Sequence, residues 1–196
     1  MDLEAAARQS GVIPSQKVDS FISCLKYPSD YSWLLTVPHP TETRLQGDLF
    51  GDFPIAIVDP DGKPRCKHFT VLILNNTCDL QPRRSNFVTA APVLDFGSYS
   101  QSIAKKRGEN KAANFLKDVK ANKVFEILWL PAFGEFRDGA VVLLDRIGAI
   151  SMDIYESALA NNRRIASFSQ NGFFFFLIKF TKHFARPESD EVMRHN

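Results

Sequence analysis

An apolar run, Val71-Leu72-Ile73-Leu74, leads directly into the polar cluster Asn75-Asn76-Thr77-Cys78-Asp79. Reactive side chains therefore stand at the mouth of an element with the composition of a buried strand. Cys78 would serve as a nucleophile if a nearby base lowered its thiol pKa. His68, at the start of the same strand, is the nearest such base in sequence. Ten extended residues at roughly 3.3 Å each put it far outside hydrogen-bond reach, so a basic group from another strand would be needed. The plainer expectation is that Cys78 packs as a small apolar group, free cysteine being among the most buried residue types. Asp79 would then accept backbone hydrogen bonds in the turn. His68, Cys78 and Asp79 are the candidate catalytic residues on this reading.

Other chemistries have less to build on. His39, His68, His183 and His195 are scattered, with neither an HxxxH helix pair nor a facial triad, so no metal site and no cofactor is expected. Asp48, Asp52 and Asp79 are available as acid and base, but carboxylates in turns are usually solvated or capping groups. Three short basic clusters stand out: Arg83-Arg84, Lys105-Lys106-Arg107 and Arg163-Arg164. The segment from Ser102 to Lys123 carries seven Lys or Arg against Glu109 and Asp118. Converging on one face, such clusters would follow a phosphate backbone; apart, they would only keep a surface helix in solution. Arg83, Arg84, Lys105, Lys106 and Arg107 are the candidate nucleic-acid-binding residues.

At 196 residues, 44% of them hydrophobic, the chain is long enough to bury one full core. A formal net charge of +2 confines any polyanion binding to local patches. Cys24, Cys66 and Cys78 are three widely spaced cysteines without a CxxC pair, which predicts reduced thiols in a cytoplasm rather than a disulfide framework. The start, Met1-Asp2-Leu3-Glu4, lacks the order of a secretory signal, and the apolar run Phe173 to Ile178 is too short to span a bilayer, so no membrane is expected.

The elements that would position these groups form a helical lead, a strand-rich centre and a helical tail. Val18, Phe21, Ile22 and Leu25 mark one face of a helix, with Ser15 as its N-cap and Pro28 as its end. Asp48 to Val58, interrupted by Gly51 and Pro54, reads as an edge or bulged strand. The turn formers Asp59-Pro60-Asp61-Gly62-Lys63-Pro64 reverse it into a strand from His68 to Leu74, and a third strand runs from Asn86 to Val93. A helical insertion over 102–123 follows, its apolar face marked by Ala112, Phe115, Leu116 and Val119. Strands resume at Val124 to Leu130 and Ala140 to Ile150. The tail predicts helices from Asp153 to Ala160 and from Ser169 to Ala185, stopped by Arg186-Pro187. In the second, Phe173, Phe176, Leu177, Phe180 and Phe184 form a stripe opposite Lys179, Lys182 and His183. Phe174, Phe175 and Ile178 widen that stripe, which suggests core packing first and a subunit interface second.

The order Gly47-Asp48, an apolar strand, a turn, a basic residue before Val71-Leu72-Ile73-Leu74 and then Val88-Thr89-Ala90-Ala91-Pro92-Val93 resembles the MazF/PemK-type toxin superfamily. Thr77-Cys78-Asp79-Leu80, Trp129-Leu130-Pro131, the Val142 to Arg146 strand and the terminal helices from Arg164-Ile165-Ala166 to Arg186-Pro187 look like an uncharacterised bacterial family built on the same barrel. The resemblance implies an α+β fold around a small antiparallel SH3-like β-barrel. One domain would then comprise a lead over 1–43, the barrel over 44–150 and C-terminal helices over 151–196. It also implies a homodimer. MazF-like ribonucleases open the second strand with Arg-Pro and place Thr or Ser after a Pro-Ile/Val pair. This chain has Lys67-His68-Phe69 at the first position and Leu94 after Pro92-Val93. The expected function is therefore an accessory module binding RNA, DNA or a protein partner, in a toxin-antitoxin or phage-defence setting. The alternative is a divergent endoribonuclease using Lys67, His68, Cys78, Asp79 or Thr89.

Overall fold

The computed structural model describes residues 3–9, 11–25, 31–40, 42–58 and 61–184. Pro28, Asp59-Pro60, Arg186-Pro187 and His195, each used in the sequence reading, lie outside the described residues. Two short helices, α1 (Leu3–Gln9) and α2 (Val18–Leu25), precede the sheet. Phe21 and Ile22 are buried, as the periodicity of α2 predicts. Ser15 does not cap it with its side chain; Ser15–Lys17 form a 3-10 turn that leads into the helix.

The strands are β1 (Leu35–Thr36), β2 (Leu49–Val58), β3 (Pro64–Ile73), β4 (Phe87–Asp95), β5 (Ile127–Leu130), β6 (Ala140–Leu143), β7 (Gly148–Ser151) and β8 (Arg164–Phe168). They form one antiparallel sheet in the order β1-β8-β2-β3-β4-β6-β5, and β7 also pairs with β4. The expected meander is β2–β3–β4. The sheet curls so far that a Cβ on Gly148 of β7 would lie 3.1 Å from Ile55 Cγ2 of β2. No strand pairing joins β2 to β7 among the described residues, so the sheet is not closed.

Helices cover both faces. Leu49, Leu72, Ala91, Val93 and Val142 pack with Phe174, Phe175, Phe176 and Ile178 of α6 (Gln170–Phe184), joined by α1 and α2. On the other face, Phe50, Val71, Ile73, Val88 and Ala90 meet Tyr155, Ala158 and Leu159 of α5 (Met152–Ala160). A third cluster seats α3 (Phe96–Arg107) and α4 (Glu109–Lys120) through Phe96 and Val119 on Ile127, Val141 and Leu143. No helix among the described residues is long and apolar enough to cross a membrane.

Several expectations are corrected. β2 is bulged, but it is an edge only beyond Phe53, because β8 pairs with it at Leu49 and Phe50. The insertion is two helices parted at Gly108. The apolar run after Gly139 breaks into β6 and β7 around Asp145 and Arg146. Arg164-Ile165-Ala166 is strand, not helix: β2 pairs with Arg164 and Ala166, and β1 pairs with Ser167 and Phe168 further along β8. Lys179, placed on a polar face by its spacing, is completely buried.

Candidate functional site

Outside the bulge the β2–β3 hairpin projects from the sheet as an arm. Among the described residues, β2 beyond Phe53 pairs only with β3, and β3 before Thr70 pairs only with β2. Residues directly opposite in an antiparallel pair share a face. The register Phe53↔Phe69, Ile55↔Lys67 and Ile57↔Arg65 therefore gathers two cations and four apolar side chains on one side of the arm. That side opens into a pocket of about 220 Å³ lined by Ile55, Ile57, Phe69, Pro92, Leu94, Leu143 and Ile147, with Arg146 the only charged residue lining it among the described residues.

The pocket continues around the unpaired edge of β3, sharing Phe69, Leu94, Leu143 and Arg146 with a groove of about 650 Å³. His68, Thr70, Tyr99, Ser102, Lys106, Arg107 and Phe115 line the groove. So do four carboxylates, Asp95, Glu126, Glu135 and Asp145. Asp95 is already engaged as the N-cap of α3, accepting from Ser98 N at 2.7 Å. Arg107 is held at the wall by Phe115, its guanidinium 4.2 Å from the ring centroid. The β3 edge thus unites His68, Lys106 and Arg107, which the sequence offered as separate candidates.

His68 is oriented. The bulge holds Asp52 at φ 60°, a left-handed conformation that Asp tolerates better than most residues. Asp52 Oδ1 lies 2.6 Å from His68 Nδ1. Since a carboxylate accepts, Nδ1 carries the proton, and in the neutral ring Nε2 is the accepting nitrogen. Arg163 completes the arrangement by donating to the Asp52 carbonyl at 3.0 Å and lying 3.5 Å from its Oδ2. All three side chains stay in contact with water, with 60% of His68 and 68% of Asp52 exposed.

The motif that stood at the strand mouth does other work. Asn75 Oδ1 accepts from Thr89 N, Thr77 Oγ1 accepts from Gln46 N at 3.2 Å, and Leu80 is fully buried. These contacts staple the turn to its neighbours. Cys78 and Asp79 are exposed, which corrects the expectation of a packed thiol. Neither they nor Arg83 and Arg84 line the groove. Arg83 and Arg84 lie in the turn before β4, whereas Lys106 and Arg107, in the last turn of α3, line the groove. Lys105, next to Lys106, is exposed but does not line the groove.

Sequence reading missed a buried polar centre. Asp48 Oδ2 lies 3.2 Å from Arg164 Nε, with 1% and 2% of the side chains exposed. Ser167 Oγ donates to Asp48 Oδ1 at 2.7 Å. Arg164 also donates to the carbonyls of His39, Pro40 and Thr43, fastening that loop to β8. Burial pushes the Asp48 carboxyl above the ordinary range, against the opposing pull of Ser167 and Arg164. Gly47 places Asp48: its φ is 89°, and a Cβ there would come within 2.4 Å of the Phe168 ring. A cleft of about 550 Å³ beside this centre is lined by His39, Gln46, Asp48, Thr77, Ser169 and Phe173 among others. The only signal for it in the sequence was the Gly47-Asp48 pair.

No group of three or more His, Cys, Asp or Glu among the described residues is placed to hold a metal ion. No family model matches the chain, and no curated protein matches it significantly.

Proposed function

We propose that the chain is a nucleic-acid-binding module that takes a single strand along the open edge of β3. The observation that carries this reading is the arm's register, which sets Arg65 and Lys67 opposite Ile57 and Ile55 on the face of the arm that bears Phe69, next to a groove lined by Phe69, His68, Lys106, Arg107 and Arg146. Alternating cations and apolar surface suit a flexible strand, with phosphates meeting the cations and bases lying on Phe69 and Leu94. Four carboxylates, Asp95, Glu126, Glu135 and Asp145, outnumber Lys106, Arg107 and Arg146 in the groove lining, so the phosphates are left to the cations while the carboxylates accept from exocyclic amino groups of bases. The curled β2–β3–β4 meander supports an SH3-like, MazF-type barrel left open at the β2–β7 seam. The resemblance supports a toxin-antitoxin or phage-defence setting and a homodimer.

A gel-shift titration with mixed single-stranded RNA at several salt concentrations tests this reading. If Arg65, Lys67, Lys106, Arg107 and Arg146 each meet a phosphate, log Kd against log salt has a slope of about 3.5. Lys67→Ala combined with Arg146→Ala lowers that slope by about 1.4. Binding indifferent to salt, or unchanged in the double variant, would refute it.

The Asp52–His68 pair favours endoribonuclease activity as a second reading. With Nδ1 held by Asp52, His68 Nε2 is a base able to take the proton of a ribose 2′-hydroxyl as its oxygen attacks the adjacent phosphate; the bond from phosphorus to the 5′-oxygen breaks, a 2′,3′-cyclic phosphate forms and water protonates the leaving 5′-oxygen. RNA cleavage that is lost in His68→Ala and strongly reduced in Asp52→Asn would establish it; intact RNA after prolonged incubation would exclude it.

A further inference from the structure

We propose that Lys179 is a proton-sensitive latch joining α6 to the turn between α4 and β5, closed while its amine is neutral and loosened as the amine gains a proton. The side chain is completely buried and makes no ion pair among the described residues. Its two acceptors belong to one residue: Nζ donates to the Asn122 carbonyl at 2.8 Å and to Asn122 Oδ1 at 3.0 Å. A neutral amine has two N–H donors and is satisfied there. An ammonium has three, one more than the two Asn122 oxygens that accept from Nζ among the described residues.

Asn122 is a firm anchorage for the latch. It is 1% exposed, holds a left-handed φ of 54°, and clasps Trp129 by donating to its carbonyl at 3.1 Å and accepting from its N–H at 2.8 Å. The same turn follows α4, whose Phe115 walls the groove. Lys179 therefore ties the last helix to the part of the fold that shapes the groove, whatever the groove binds.

The charges around the latch do not offset its burial. Glu126, ahead of β5, favours the ammonium, yet burial outweighs it and lowers the Lys179 amine to about 7. Tyr31, whose hydroxyl donates to the Ala121 carbonyl at 3.4 Å, has a phenol pushed up by burial and stays neutral. Lys123 on the turn is exposed. On α1 and α2, Arg8 is occupied by Glu4 and Asp19. On β8, Arg164 is occupied by Asp48. One turn further along α6, His183 has a buried Nδ1 without a partner, and Lys182 is half-buried.

Opening α6 returns Lys179 to water, where its amine recovers an ordinary pKa and takes up a proton. The opening constant therefore falls about tenfold for each unit of pH above neutrality, until the free amine itself titrates. Hydrogen exchange of the Phe176 to Phe180 amides reads this directly. The intrinsic exchange rate rises in proportion to hydroxide, so in the intact protein the observed rate stays nearly flat from about pH 7.5 to 9.5. In Lys179→Met it climbs about tenfold per unit. If the variant does not fold, the titration of the Lys179 ε-carbon by NMR in the unaltered protein decides the matter. A midpoint near neutrality is expected. A midpoint near that of ordinary lysine, or α6 exchange that climbs with hydroxide in the intact protein, would overturn the latch.

Discussion

Arg164→Met removes a guanidinium from the buried polar centre while keeping most of its stem, and the structure fixes both the size and the pH dependence of the loss. Asp48 is left 1% exposed without its cation, and the carbonyls of His39 and Pro40, now 2.9 and 3.0 Å from Arg164, lose a donor. Removing one partner of a buried pair costs about 3–5 kcal/mol. For a chain of this length that is a fall in Tm of about 6–20 °C. The pH dependence follows from Asp48. Burial already raises its carboxyl, and Arg164 is one of the groups pulling it down. Without Arg164 it rises further, so native Asp48 is protonated at pH values where the unfolded chain has ionised it. The native state then binds more protons than the unfolded state, and stability falls as pH rises through that window. The deficit relative to the unaltered protein is therefore larger near pH 7.5 than near pH 5. Urea unfolding followed by tryptophan fluorescence at the two pH values measures it. Asp48→Asn added to Arg164→Met removes the stranded charge and recovers about 1–2 kcal/mol at the higher pH. A deficit under about 1 kcal/mol, or one equal at both pH values, would refute the reasoning.

Gly172 presses α6 against the backbone so closely that a Cβ would fall 1.9 Å from the Leu34 carbonyl oxygen, which also accepts from Ser169 N. Gly172→Ala should destabilise by about 1–3 kcal/mol through displacement of the helix, measurable by thermal unfolding. The thiols test the turn after β3. Cys66 and Cys78 are exposed and should react with an aromatic disulfide reagent in the native protein, while the half-buried Cys24, against Asn171 Nδ2 at 3.2 Å, reacts more slowly. Cys78→Ser should change stability by less than about 0.5 kcal/mol. A Cys78 that reacts only after unfolding would contradict its placement.

The parts of the fold that were legible in the sequence rest on local signals. Val71 to Leu74 is apolar enough to be buried on both faces, and it is. The spacing of Ala112 and Val119 marks the buried face of α4. Lys106 and Arg107 stood out as a charge run and do reach the groove. What the sequence withheld is pairing across the sheet. Asp52 and His68 were both candidates, yet nothing local joins residues sixteen apart through a bulge. β3 sets Phe69 opposite Phe53 and His68 opposite Pro54, so Asp52 meets His68 only because the bulge turns its side chain aside. Arg164 and Ser167 likewise look like solvent-facing residues until Asp48 arrives from another strand.

Lys179 shows the limit in its sharpest form. A hydrophobic stripe reports a difference between two faces of a helix, and it assigns the polar residues to water because water is the usual alternative to the core. α6 has no such alternative over most of its length: the sheet, α1, α2 and the Ser32–Leu34 turn meet it from several sides. Its adjacent residues Phe174, Phe175 and Phe176 are all buried, a run that no single stripe accommodates. Once a helix is enclosed in this way, periodicity ceases to say where a lysine points, and only the acceptor waiting for it, here the carbonyl and side-chain oxygens of Asn122, decides how its charge is carried. The same three consecutive phenylalanines that hid the lysine are therefore the feature of the sequence from which its burial follows.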